Sequence, residues 1–382
     1  MPKIKVMTVF GTRPEAVKMV PLALRLAKEP KVESMVCVTA QHREMLDNVL
    51  NVFNIRPDFD LNIMQKGQSL SDITTRTIQG MDDVLNKAKP DIVLVHGDTS
   101  TTFAAALSAF YHKIMVGHVE AGLRTYDIYS PFPEEMNRTL TADLAQLHFA
   151  PTVQNRKNLE QEGVMGEIFV TGNTVIDAMK LTVRREYRFT QPQLEGLDFE
   201  NRRVILVTAH RRENYGCALE NIMSAIRELA ERYSDVQFVY PVHLSPTVRE
   251  TASRFLDGMK NVLLSEPLSV LDMHNLMSRC YMVMTDSGGI QEEAPSLGKP
   301  VLVLRRETER PEAVKAGTVR LAGVEKTNII KLAQLLLDDQ EEYKKMARAI
   351  NPYGDGRAAE RITKAILWKF GKISKRPEEF EI

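Results

Sequence analysis

Two doubly wound Rossmann-like α/β domains facing a cleft are what this 382-residue sequence predicts. Three observations carry that expectation. Short apolar, β-branched runs recur at regular spacing, each is followed by a helix-like segment, and about five such units stand on either side of a polar stretch at 186–201. Near-continuous apolar strands alternating with amphipathic helices mean parallel sheets covered on both faces. The length suits two domains better than one ten-stranded sheet.

The first five strands are read at IKVMTVF (4–10), SMVCVTA (34–40), DIVLVHG (91–97), IMVGHV (114–119) and EIFVTG (167–172). The second five are VILVTAH (204–210), VQFVYPVH (236–243), NVLLSE (261–266), YMVMTD (281–286) and KPVLVL (299–304). The domain division is placed at 1–170 and 171–356, with a last helix beginning near 357. The terminal KISKRPEEFEI is charged and is expected to fray.

Composition narrows the class. Apolar residues make up 43% and charged residues 26%, which excludes wholesale disorder and fits a globular enzyme. Lys+Arg and Asp+Glu are 50 each, so the net charge is zero, which argues against a dedicated nucleic-acid binder while leaving room for a local anion site. Cys37, Cys217 and Cys280 are isolated, which points away from a disulfide framework or a cysteine zinc site and toward a reducing cytoplasm. No apolar run reaches membrane-spanning length, and the N-terminal run is too short for a secretion signal. His42, His96, His112, His118, His148 and His274 form no metal spacing, so no metal is expected.

In open parallel sheets ligands lie at the carboxyl ends of strands, so the residues just after each strand matter most. Gly11 permits a turn after the first strand, Pro14 suits a first helical turn, and Arg13 and Lys18 stand at the helix mouth. Either this is an anion site or a plain helix start. Arg310-Pro311-Glu312-Ala313 repeats Arg13-Pro14-Glu15-Ala16, which suggests equivalent βα positions in the two halves. After YMVM, Ser287-Gly288-Gly289 lets backbone amides approach a phosphate. Glu293 is placed to accept from a ribose diol or to complement the helix dipole. Together these features suggest a diphosphate-linked nucleotide.

Three carboxylates sit at other strand ends: Asp98 in HGDTS, Glu120 in GHVEAG and Glu134 in SPFPEEMNR. Asp98 is alternatively a helix cap, and Glu134 a first-turn acid. Their crowding is expected to raise at least one pKa and make an acid/base set. His210 ends VILVTAH and either stabilises a leaving diphosphate or is a structural histidine; His243 is a weaker copy.

Taken in order, GTRPEAVKM, VHGDTSTTFA, GHVEAGLRT, SPFPEEMNR, TAHRREN, YPVH, TDSGGIQEEAPSLGKPV, TERPEAV and NPYGDGRA resemble the non-hydrolysing UDP-N-acetylglucosamine 2-epimerases of bacteria. The resemblance implies a glycosyltransferase-B-like architecture whose last segment, 357–382, returns to the first domain. It implies interconversion of UDP-GlcNAc and UDP-ManNAc by elimination of UDP, without metal or nicotinamide cofactor. It assigns catalysis to Asp98, Glu120, Glu134 and His210. UDP contacts fall on Arg13, Lys18, Ser287, Gly288, Gly289, Glu293 and Arg310, with the uracil near Leu268 and Met273, where some relatives carry an aromatic residue. An activating second UDP-GlcNAc would meet Gln41, Glu44, Arg211 and His243; Glu44 stands where Gln is common in the family, and Gly67 where Arg is common. The resemblance further implies a cytoplasmic homodimer serving cell-surface polysaccharide synthesis, with no nucleic-acid or membrane partner. The alternatives are a hydrolysing 2-epimerase releasing ManNAc, a UDP-sugar glycosyltransferase with an acceptor groove, and a non-catalytic nucleotide-sugar sensor.

Overall fold

The apolar runs form parallel strands in two sheets of seven and six strands. The structure is a computed structural model and describes residues 2–381. The division into two units falls after Lys180 and after Pro352, with the C-terminal segment belonging to the first unit. The sequence-based boundaries at 170 and 356 lie to either side of these points.

The strands of the first unit are β1 (Ile4–Phe10), β2 (Val32–Val38), β3 (Phe59–Asp60), β4 (Ile92–His96), β5 (Met115–Val119), β6 (Leu147–Ala150) and β7 (Glu167–Val170). Its helices are α1 (Arg13–Ala27), α2 (Arg43–Val52), α3 (Leu70–Ala88), α4 (Ser100–Tyr111), α5 (Glu134–Leu144), α6 (Val153–Glu162) and α7 (Thr174–Thr182), which runs into the start of the second unit. The second unit carries β8 (Arg203–Thr208), β9 (Val236–Pro241), β10 (Val262–Ser265), β11 (Met282–Thr285), β12 (Val301–Val303) and β13 (Val319–Leu321). Between them lie α8 (Cys217–Arg232), α9 (Pro246–Leu256), α10 (Val270–Arg279), α11 (Ile290–Ser296) and α12 (Pro311–Ala316); α13 (Lys326–Asp338) and α14 (Gln340–Ala347) follow. The last helix, α15 (Ala358–Lys369), packs on α1.

Sheet order is β3-β2-β1-β4-β5-β6-β7 in one unit and β10-β9-β8-β11-β12-β13 in the other. In both units the chain starts at the centre, runs to one edge, then crosses back, so β1 corresponds to β8, β4 to β11 and β5 to β12. The strand order reverses between β1 and β4, and between β8 and β11, and such switch points open a crevice at the carboxyl ends. This topology corrects one expectation. The repeated Arg-Pro-Glu-Ala follows β1 in one unit but β12 in the other, and β12 is the counterpart of β5. The two copies are therefore not in equivalent positions.

Three strands escaped the sequence reading. β3 has two residues, β6 is LHFA with no β-branched residue, and β13 is VRL, broken by an arginine. The long strands obey the pattern because both faces are buried, as the near-unbroken burial of β1 and β4 shows; on one face Met7, Val9, Val93 and Val95 pack with Met81 and Leu85 of α3. In the second unit, Ile205, Val207, Phe238, Met282 and Met284 pack against α8 and α13.

The C-terminal tail corrects another expectation, because it is held in place. Phe380 is buried and donates its backbone N–H to Val170 O at 2.8 Å. Glu379 accepts the Val170 N–H at 3.1 Å and pairs with Arg156. Arg376 lies 4.5 Å over the Phe169 ring. Asp177 of α7 accepts the N–H groups of Ala358 and Ala359 at 3.1 and 3.0 Å, capping α15. Burial pushes that carboxyl up to about 6 against those two hydrogen bonds. Among the described residues no helix is long and apolar enough to cross a membrane.

Candidate active site

The β1 and β4 loops of the first unit are tied together by Glu15. Its buried carboxylate accepts the N–H groups of Gly11 and Thr12 at 3.0 and 2.7 Å and the Thr99 hydroxyl at 2.7 Å. The acid of the first Arg-Pro-Glu-Ala is thus a strut beneath the helix that carries Arg13 and Lys18. Thr99, not Asp98, caps α4, accepting from the Thr102 N–H at 3.2 Å. That leaves Asp98 free of the capping role that was its alternative reading.

Asp98 instead accepts from Arg138 Nη2 at 2.6 Å, and Arg138 also pairs with buried Glu135 at 3.2 Å. Glu135 accepts the N–H groups of Thr125 and Tyr126 at 3.0 and 2.9 Å, which fixes the segment leading to Glu134 at the start of α5. Sequence reading weighed Glu134 and passed over Glu135 and Arg138. The available signal was the i,i+3 spacing of Glu135 and Arg138 on one helix face.

Glu120 follows β5, which pairs with β4 so that Val119 stands opposite His96. Asp98 and Glu120 therefore leave the carboxyl ends of adjacent strands. Glu120 has φ +61°, in the left-handed region that a side chain rarely adopts. Its Oε2 contacts Lys18 Nζ and accepts from Asn173 Nδ2 at 2.8 Å. The side chain is only 8% exposed. Burial pushes the Glu120 carboxyl up, but Lys18 and His96 outweigh it and hold the group well below the usual carboxylate range. The expected upward shift from crowded carboxylates is not what governs Glu120, because the nearest charge is a cation. His118, in the same motif, is buried and donates from Nε2 to Gly97 O at 2.7 Å; burial pushes it down to about 3.

In the second unit, Asp286 after β11 accepts the N–H groups of His210 and Arg211, each at 2.8 Å, and the Asn214 amide at 3.2 Å. This fully buried carboxylate, which sequence reading did not single out, sets the loop after β8. The His210 ring stacks on His243 with centroids 5.1 Å apart. Burial first, and His210 second, lower the His243 imidazole.

Arg310 is held by Glu292 at 2.6 Å and by Glu309 at 3.2 Å. Burial raises the Glu309 carboxyl, and Arg310, Arg211 and Arg305 together bring it below the usual range. A Cβ placed on Gly288 would lie 3.6 Å from Arg211 Nη2 and 3.6 Å from Arg310 Nη2. Both guanidinium groups thus converge on the Ser287-Gly288-Gly289 backbone, an arrangement suited to an anion. Glu293 lies one turn on, 3.6 Å from His274 Nε2, whose Nδ1 bonds the Thr182 hydroxyl at 2.7 Å. Leu268 is buried and Met273 half-buried, just before and within α10.

Of the residues assigned to an activator, Gln41 accepts from Thr101 Oγ1 at 3.0 Å and Glu44 is exposed on α2, both in the first unit. Arg211 and His243 belong to the second, where they keep company with Arg310 and His210.

A doubly wound α/β fold with cation-held carboxylates at the strand ends of one sheet and converging arginines at those of the other suits a class of protein, enzymes acting on phosphorylated small molecules. Comparison with known proteins makes this specific. Residues 24–367 match the family described as UDP-N-acetylglucosamine 2-epimerase. The chain is 56% identical over 381 residues to the UDP-N-acetylglucosamine 2-epimerase of Bacillus subtilis, spanning 100% of this chain and 99% of that one. It is similar to a Neisseria meningitidis UDP-GlcNAc 2-epimerase solved with UDP-GlcNAc, at 54% identity and TM-score 0.87, covering 95% of this chain and 100% of the other. A Staphylococcus aureus protein solved with UDP gives 52% identity and TM-score 0.89 over 99% of this chain and 100% of its own. The chain belongs to the UDP-N-acetylglucosamine 2-epimerase family and is an isomerase of nucleotide sugars.

Proposed function

We propose that the chain catalyses reversible, non-hydrolysing epimerisation at C2 of UDP-GlcNAc to give UDP-ManNAc. One observation carries this reading: Asp98 and Glu120 stand at the carboxyl ends of paired strands, each fixed by its own cation. The C2 hydrogen of the sugar is not adjacent to a carbonyl, so direct abstraction by a carboxylate is disfavoured. Elimination removes the difficulty. The C1–O bond to the diphosphate breaks and its electron pair leaves with UDP. A carboxylate takes the C2 proton, and the C–H pair forms the C1=C2 bond of 2-acetamidoglucal. Reprotonation at C2 from the other face, with return of the UDP oxygen to C1, gives the epimer.

The chain's residues divide accordingly. Arg13, Arg310 and His210, with the Ser287-Gly288-Gly289 backbone, stabilise charge on the departing diphosphate. Glu293 accepts from the ribose, and Leu268 and Met273 line the base. Asp98, Glu120 and Glu134 supply the acid/base set. Lys18 keeps Glu120 ionised rather than holding phosphate alone.

Incubation with UDP-GlcNAc in deuterated water tests the reading. Deuterium at C2 of recovered UDP-GlcNAc and UDP-ManNAc is expected; epimer formed without deuterium excludes the elimination. Free ManNAc and UDP as the accumulating products would point instead to the hydrolysing reaction.

A further inference from the structure

His96 closes β4, two residues before Asp98. It is 3% exposed, and neither ring nitrogen makes a hydrogen bond of full geometry. Native folds rarely bury two polar nitrogens this way without a use, because each loses its water. The Nε2 atom lies 3.4 Å from Glu120 Oε2. That oxygen is also the one reached by Lys18 from α1 and by Asn173 from the segment after β7. Three groups from three parts of the first unit thus gather on Oε2. Among the described residues no hydrogen bond ends on Oε1 of the same carboxylate. Glu120 also keeps a left-handed backbone, a conformation that persists only where surroundings over-determine it.

We propose that His96 is a positioning residue for Glu120: with Lys18 and Asn173 it pins Oε2, leaving Oε1 as the atom that exchanges the proton with the sugar. The inference rests on the reading of Glu120 as an acid/base group. Lys18 alone cannot do this, because an ammonium on a flexible stem fixes charge more than direction. The imidazole is planar, grows from a rigid strand end, and with hydrogen on Nε2 directs one donor at one oxygen.

The test uses the full chain with three variants. His96→Leu removes the donor, His96→Gln keeps an amide N–H, and Glu120→Gln removes the base. For each, kcat, KM, the pH profile of kcat, UDP affinity and melting temperature are measured. His96→Leu is expected to lose about tenfold or more in kcat, the scale of a misplaced catalytic group, with KM and UDP affinity near those of the unmodified chain. The acid limb of its kcat profile should move to higher pH, since Glu120 loses a donor to its ionised form. The groups facing Glu120 in that profile are Lys18, His96 and neutral Asn173. His96→Gln should recover most of the loss.

Unchanged kcat and limb in His96→Leu, with Glu120→Gln inactive, overturns the role of His96 and leaves that of Glu120 standing. Near-normal turnover in Glu120→Gln overturns both. Equal losses in the Leu and Gln variants, with weakened UDP binding, also overturn the proposal, because that is how a purely structural histidine behaves. Should His96→Leu fail to fold, His96→Asn replaces it, its shorter amide falling short of Oε2, with the same expectations.

Discussion

Lys18 of α1 meets Glu120 after β5, so a helix mouth that reads as an anion site is already engaged with an internal carboxylate. The two side chains are 14% and 8% exposed. A buried carboxylate that stays ionised is a usable base only because its cation travels with it.

Lys18→Met is expected to destabilise the chain by about 3 kcal/mol at neutral pH, the scale for stripping one partner from a buried pair. The sign with pH follows from the depressed Glu120 carboxyl. Its stabilisation is fully present above the ordinary carboxylate value of 4.5 and is lost as pH falls through the lower folded value. The penalty in Lys18→Met should therefore shrink below about pH 4.5, as read by urea unfolding at several pH values. The acid limb of kcat should move upward in the same variant.

Arg138 holds Asp98 from α5, and Asp98 does not cap α4. Asp98→Asn should cost at least about a hundredfold in kcat, the usual scale for an acid/base group, with little loss of stability. Glu120→Gln and Glu134→Gln should fall by a similar factor. Arg138→Met should lower both activity and melting temperature, since Asp98 and Glu135 lose their common partner. Steady-state rates and thermal melts separate the two patterns; normal turnover in all three carboxylate variants would remove the assignment.

His118 is buried, with its imidazole pushed down to about 3. A depressed histidine binds fewer protons folded than unfolded, so stability falls as pH drops below the ordinary 6.5. Between pH 6.5 and 4.5 this amounts to about 2 kcal/mol, since the slope of 1.36 kcal/mol per pH unit is reached only below the unfolded value. Asp177, raised to about 6, works the other way across part of that window. The measurement is therefore the difference between the unmodified chain and His118→Gln, whose gap in unfolding free energy should narrow as pH falls. A constant gap would show that His118 titrates normally.

Gly288 and Gly11 should respond differently to a methyl group. At Gly288 the added Cβ meets the two arginines at ordinary van der Waals distance, so Gly288→Ala should melt normally while losing about tenfold or more in UDP affinity. At Gly11 it would lie 2.0 Å from Thr39 Oγ1 and 2.6 Å from Thr101 Oγ1. Gly11→Ala should lose about 1–3 kcal/mol of stability through overpacking. Calorimetry with UDP and thermal melts check both.

The longer strands that sequence reading found, such as the one holding VILVT, are buried on both faces, and their β-branched runs leave a continuous signal. Leu147–Ala150 was missed although it is fully buried, because LHFA carries no β-branched residue. The motifs at strand ends were legible for a related reason. Glycine, proline and charge in a row after an apolar run mark a turn into a helix, whichever unit holds it.

Partners were not legible, since pairing across the fold depends on sheet order and register. Nothing local announces that Glu120 faces Lys18 and His96 or that Asp286 carries the His210 loop. By itself the sequence determined the α/β class and the loops that bear chemistry, because these follow from local periodicity and composition, while the ordered motifs carried the family likeness. The tertiary structure alone decided that the repeated Arg-Pro-Glu-Ala sits on non-equivalent strands, that the charged tail is held by Phe380 and Glu379, and that Glu120 is ionised. Each of these depends on residues far apart in the chain, whose charges and backbone groups meet only after the sheets have formed.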